Sequence, residues 1–301
     1  MGITKQSLDL LLAENAFKPV TGSYLSLGKQ NLSVSREDIN ALFIKYGLDT
    51  AKLNSLYEKG IFDKSTKYGS GNIHDHDLLS CFSQARYRSL DRSDYEGADV
   101  VHDMNEPLPD SLKGQFDFIF NGSVMDNVFD PATLIKNTTQ LLKPGGRILH
   151  LEHAGSYPGA FVMFSPEWLY SYYAVNNFKD CKTYVFLGNE RGEGRFNWFG
   201  PMFSWKPAFT QAENYDYESA IKSASGMMHV LVIAEKGEES THDKNPIQMQ
   251  YLDDSVPDWR KRHDDFLKSP RPLIPLEKPG GKIVLPFLSD HYEYLGSYQA
   301  G

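Results

Sequence analysis

Apolar and polar positions alternate along Gly22-Ser-Tyr-Leu-Ser-Leu-Gly28 and stop at a glycine, which predicts a short strand running into a turn. Ser35-Arg-Glu-Asp38 then precedes Ile39, Leu42, Phe43 and Tyr46, with Gly47 beyond. A capping pattern, an apolar face at helical spacing and a glycine stop together predict a helix. Shorter helical patterns follow around Leu53, Leu56 and Tyr57 and over His74–Gln84, separated by a loop at Lys67–Asn72. From Ala85 the text becomes regular. Strand patterns over 86–90, 99–102 and 116–120 end at Asp91, Asp103 and Asn121. Asp130 and Pro131 open a helix with Leu134, Ile135, Thr138, Leu141 and Leu142 on one face, closed by Pro144-Gly-Gly146. Further strands are predicted over 147–152, 181–187 and 228–235, and a helix opens at Ser165-Pro166.

Strands alternating with helices predict an α/β fold with a mostly parallel sheet and helices on both faces. Ligands of such sheets bind at the carboxyl ends of the strands, so the polar groups there are the candidate chemistry. A carboxylate closing a second strand suits a ribose diol, which puts Asp91 forward. Asp103 suits an adenine amino group, with Met104 as an apolar wall, and Gly28 lets backbone approach a ligand. Lys29, Gln30 and Asn121 complete an adenosine-type pocket.

These features resemble class I S-adenosylmethionine-dependent methyltransferases. The resemblance rests on Tyr24–Gly28, Ser89–Asp91, Val100–Asp103, Phe116–Asn121 and above all Leu141-Leu-Lys-Pro-Gly-Gly-Arg-Ile148, and covers roughly residues 20–236. Asp94–Ala98 and His102–Pro109 look like a branch found in polysaccharide and small-molecule biosynthesis loci. The resemblance implies a Rossmann-like, seven-stranded sheet whose last strand is antiparallel. It also implies a transferase that uses S-adenosylmethionine on a hydroxyl or amine of a small polar acceptor, a sugar being one candidate. Two departures stand out. Gly28 is followed by Lys29, Gln30 and Asn31 where the family repeats glycine, and the stretch from Gly28 to Asp91 is longer than the family's usual first crossover. Lys29 and Gln30 are therefore expected to read the donor's carboxylate, and 35–84 is expected to be a helical insertion.

For catalysis, His153 at the end of its strand is placed to act as general base, and Asp126 beside Asn127 lies where the family lines the donor pocket. His150 is expected to be a buried, hydrogen-bonded histidine, and His74-Asp-His-Asp77 a polar helix start rather than a metal site. The aromatic run Trp168 to Trp205 is expected to be core or a subunit face, with the loop 192–201 offering a lid or acceptor platform.

Composition narrows the classes. With 301 residues, 41% hydrophobic and 23% charged, the chain is an ordinary globular one, long enough for one large domain or two modest ones. A net charge of −8 disfavours nucleic acid as a partner. Two distant cysteines, Cys81 and Cys181, fit a reduced, cytoplasmic setting, and no apolar run is long enough for a membrane span. A homo-oligomer is compatible with the chain. The expected organisation is a methyltransferase-like domain over 1–236 and an extended, proline-rich arm over 237–301 packed on it. The competing reading is a catalytically inactive, methyltransferase-like binding or scaffold protein. A dinucleotide enzyme is disfavoured because no Gly-x-Gly-x-x-Gly and no Walker loop occurs.

Overall fold

Among the described residues, β1 (Gly2–Thr4) and β3 (Asn31–Ser33) pair in a separate two-stranded sheet, and ten further strands hydrogen-bond into one mixed sheet. The computed structural model describes residues 2–60, 62–64, 72–155, 159–192, 198–207, 227–248, 257–278 and 291–299. The parallel run is β5 (Val100–Val101), β4 (Arg86–Asp91), β2 (Ser23–Leu27), β6 (Phe116–Gly122) and β7 (Leu142–His153). β11 (Met227–Glu235) is antiparallel to both β7 and β8 (Asp180–Gly188). Those seven strands give the Rossmann-like core, with the last in sequence reversed. The sheet does not stop at seven. β10 (Trp198–Trp205) pairs antiparallel with β8, β12 (Tyr292–Tyr298) pairs with β10, and β9 (Glu190–Arg191) adds a short ladder.

Helices cover both faces. On one, α5 (Pro131–Leu141) and α6 (Pro166–Val175) bury Leu134, Ile135, Leu169 and Tyr173 in a cluster with Leu27, Ile119, Ile148 and Val232. On the other, α1 (Lys5–Phe17) and α2 (Arg36–Lys45) join Tyr24, Phe118, Leu149 and Leu231. Ser35 caps α2 by accepting from the Asp38 N–H at 3.0 Å, as its sequence predicts. Between α2 and β4 lie α3 (Ala51–Glu58) and α4 (Asp75–Ser80), in the stretch read as an insertion. Most of the predicted 67–72 loop lies outside the described residues.

Three elements depart from the sequence reading. α1 carries no one-sided apolar stripe because nearly all of it is buried; even Asp9 is enclosed, accepting from Lys45, Tyr46 and Tyr298. Trp198–Pro201, read as loop, is the start of β10, where Phe199, Met202 and Phe203 are buried; residues 193–197, including Phe196, lie outside the described residues. The 237–301 segment is not extended throughout. It contains α7 (Pro257–Lys268) and the edge strand β12, and Arg271 between them is buried against the main body. Its proline-rich text masks a helix in which, after the first turn, Phe266 is the one buried apolar side chain among the described residues.

Candidate functional site

The carboxyl ends of β2, β4 and β5 meet at one corner of the sheet. Gly28 leaves β2 with φ +67°, a left-handed conformation glycine adopts without strain, and its N–H donates to the Leu90 carbonyl at 2.7 Å. A Cβ placed there would come within 3.7 Å of Asp91 Oδ2 and 3.8 Å of Val124. Asp91 uses Oδ1 to accept the Arg92 N–H at 2.6 Å, and its carbonyl accepts the His102 N–H at 2.9 Å. Oδ2 is thus turned towards the glycine turn. Asp103 is held by Asn105, whose backbone and side-chain N–H groups donate to Oδ1 at 3.0 and 2.8 Å, and Arg92 Nε stands 3.3 Å from Oδ2. The Asn105 hydrogen bonds, backbone first, hold its carboxyl below the usual carboxylate range, with Arg92 adding to them. Met104 is buried in the α5 cluster. Lys29 reaches outward over the loop after β4, its Nζ 3.7 Å from where a Cβ on Gly97 would sit.

Two residues expected in this pocket point elsewhere. The Gln30 side-chain amide donates to the carbonyls of Leu27 and Gly28, and a Cβ on Gly122 would run into its Oε1. Both of its N–H donors are committed to closing the turn, so none remains for a donor carboxylate. Asn121 is fully buried. Its amide donates to His150 Nδ1 at 2.8 Å and Glu152 Oε1 at 2.6 Å, and its oxygen accepts the Val124 N–H. Cross-strand register explains this: Asn121 lies opposite His150 on β7. His150 is the buried, hydrogen-bonded histidine expected of it, contacting the Tyr173 hydroxyl at 2.5 Å, and burial lowers its pKa to about 3.

A second group of buried titratable residues closes the ends of β6 and β7. Asp126 sits in the turn after β6, accepting from Ser123 Oγ at 2.5 Å and Asn127 Nδ2 at 2.7 Å. Ser123 holds φ +68°, which costs a non-glycine residue on the order of 1 kcal/mol or more and aims its hydroxyl at the carboxylate. His153 Nε2 stands 3.7 Å from Asp126 Oδ2, so the sequence-predicted pair is brought together. Burial raises Asp126 to about 6 and lowers His153 to about 3. Burial, reinforced by the Asp126 charge, pushes Glu152 well above the usual carboxylate range. His229 on β11 packs its ring 5.1 Å from that of His153, and neither of its nitrogens has a partner among the described residues. Sequence reasoning missed His229, because nothing local shows that β11 inserts beside β7.

It also missed the aromatic pair at the rim. Tyr170, Tyr172, Tyr173, Phe203 and Trp205 are buried core. Among the exposed aromatics, Phe129, 80% accessible, and Phe161, 67% accessible, stand edge-on to each other at 5.9 Å. The Phe161 N–H donates to the Asp126 carbonyl at 2.7 Å, which fixes this pair beside the acid–base group. Elsewhere, the His74–Asp77 start of α4 is tied into the protein, with His74 Nδ1 3.2 Å from Asp63 and Asp75 accepting from Gln30 and Tyr87. No helix among the described residues is long and apolar enough to cross a membrane.

Residues 76–150 match the family model of a methyltransferase domain. A comparison with curated proteins gives no match. Among solved structures the chain is similar to Haemonchus contortus phosphoethanolamine N-methyltransferase 2 in complex with S-adenosyl-L-methionine, at 11% identity and a TM-score of 0.39. That likeness covers 77% of this chain and 52% of the other, so the chain spans about half that protein's length. A SAM-dependent methyltransferase from Archaeoglobus fulgidus follows at 12% identity and a TM-score of 0.38, over 77% and 95% of the two chains. One from Thermotoga maritima gives 14% and 0.34, over 77% and 90%.

Proposed function

We propose that this chain, whose residues 76–150 carry the methyltransferase-domain pattern, transfers a methyl group from S-adenosylmethionine to a hydroxyl or amine of a small polar acceptor. The observation that carries the proposal is the corner where left-handed Gly28 faces Asp91 Oδ2 at the ends of neighbouring parallel strands. A side chain at residue 28 would strain that left-handed turn, and Asp91 has an oxygen turned towards it. In this reading Asp91 accepts the ribose hydroxyls, Asp103 and Met104 flank the adenine, and Lys29 pairs with the carboxylate. The donor supplies an electrophilic methyl on a sulfonium. The protein's part is to hold the acceptor in line with that methyl and to receive the proton the acceptor loses. Asp126, near neutrality in its affinity for a proton, is the better-matched acceptor of it; His153, with a pKa of about 3, stays neutral and positions. The exposed Phe129–Phe161 pair forms the wall against which the acceptor rests.

Asp91→Ala is expected to weaken S-adenosylhomocysteine by about 1–3 kcal/mol, as for loss of a charged hydrogen-bond acceptor. Calorimetry on a folded variant checks it, and unchanged affinity removes Asp91 from the site. Lys29→Met is expected to weaken S-adenosylhomocysteine about tenfold and leave adenosine, which has no carboxylate, unaffected. Equal loss for both ligands would assign Lys29 to bracing the turn against the Gly97 loop. A second reading, a methyltransferase-like fold that binds no donor, is favoured by the inward commitment of Gln30 and Asn121. Absence of S-adenosylhomocysteine binding to the unaltered protein at millimolar concentration would decide for it.

A further inference from the structure

A cavity of about 300 Å³ lies outside the site described above, between the first halves of α5 and α6 and beneath the segment Asn245–Gln248. Its size is at the lower end of small-ligand pockets, ~300–1,000 Å³. None of the residues assigned to methyl transfer lines it. Trp168 forms one wall, its ring held edge-on by buried Phe164 at 5.0 Å. Ile135 and Ala132 form the opposite wall. The covering segment is anchored just before the cavity: Asn176 donates to the Lys244 carbonyl at 2.9 Å and accepts its N–H at 3.1 Å, and the Tyr172 hydroxyl donates to the His242 carbonyl at 3.0 Å. Beyond that anchor Ile247 stands 58% exposed over the mouth, a large apolar side chain without cover.

One polar group lining the cavity is unmatched. Lys136 forms no ion pair with any described carboxylate, while Glu167, the other charge on the lining, is already engaged. The demand is therefore for a flat apolar body carrying a negative group. We propose that this cavity binds a small planar aromatic carboxylate, its ring against Trp168 and its carboxylate received by Lys136. Such a site is independent of the methyl-donor corner.

The test uses the full-length protein with indole-3-carboxylate and indole-3-carboxamide as probes, followed by ligand-observed NMR and calorimetry. The acid is expected to bind at sub-millimolar concentration and the amide about tenfold more weakly, a difference of one charge-assisted contact. Lys136→Met is expected to bring the acid down to the amide's affinity without changing the amide. Ala132→Phe at the exposed rim blocks the mouth and is expected to abolish both. S-adenosylhomocysteine binding is expected to be the same in both variants. No binding of either probe at millimolar concentration, equal binding of acid and amide, or acid binding that survives the blocked mouth would each overturn the proposal.

Discussion

Replacing Arg271 with methionine is expected to destabilise the protein by about 3–5 kcal/mol, the usual cost of removing one partner from a buried ion pair. Arg271 reaches three carboxylates from three elements: Glu14 on α1, Asp180 at the start of β8 through Nε at 2.5 Å, and Glu235 at the end of β11 at 2.8 Å. All four side chains are at least 95% buried. Burial works against the guanidinium's charge, but Glu14 and Asp180 more than offset it and raise its pKa. After its removal Glu14 keeps Arg147 at 2.5 Å, and Glu235 keeps Lys18 and Lys179. Among the described residues Asp180 keeps only Lys182, at 3.9 Å. The stranded charge is therefore that of Asp180, and adding Asp180→Asn to Arg271→Met should recover part of the loss. Urea unfolding of the two single variants and the double variant measures this directly. A loss below about 1 kcal/mol for Arg271→Met would mean that the segment after α7 adds little to holding α1 against the sheet.

That clasp also marks where the sequence stops being legible. Elements with local signatures were readable: the Ser35 cap of α2, the Asp130-Pro131 start of α5, the strand ending at Asp91 and, to within one residue, the strand expected to stop at Asn121. Their carboxyl ends do gather Gly28, Asp91 and Asp103 at one corner, because parallel strands necessarily place those ends together. What depends on distant register was not readable. Asn121 carries the expected polar group at the expected strand end, yet its partners are His150 and Glu152 on the neighbouring strand. The ion cluster joins residues from positions 14 to 271, and no spacing announces it. α1, buried nearly all round, lacks the amphipathic stripe that betrays a surface helix. Phe129 and Phe161 became a feature only when the Asp126 turn brought them within 5.9 Å.

The same turn gives the clearest dependence on pH. Burial holds Asp126 at about 6 in the folded protein, against roughly 3.9 in an unfolded chain. A raised carboxyl stabilises the fold fully below the unfolded value, and that contribution is lost as pH rises through the folded one. Between pH 4 and pH 8 the side chain therefore costs about 2–3 kcal/mol. Asp126→Asn removes this titration. Relative to the unaltered protein, the variant should gain stability by about that amount at pH 8 compared with pH 4, since an asparagine oxygen still accepts from Ser123. Thermal unfolding across this range checks it, and parallel curves would show that Asp126 is ionised or protonated equally in both states. Methyl transfer should move the opposite way. If Asp126 receives the acceptor's proton, the rate should rise with pH through about 6, and Asp126→Asn should lose both the rise and most of the turnover. His153, neutral above its value of about 3, cannot generate that limb. His153→Asn should accordingly lower the rate while leaving the limb near 6 in place. A limb that survives Asp126→Asn but disappears in His153→Asn would reverse the two roles, with the histidine taking the proton and the carboxylate holding it in position.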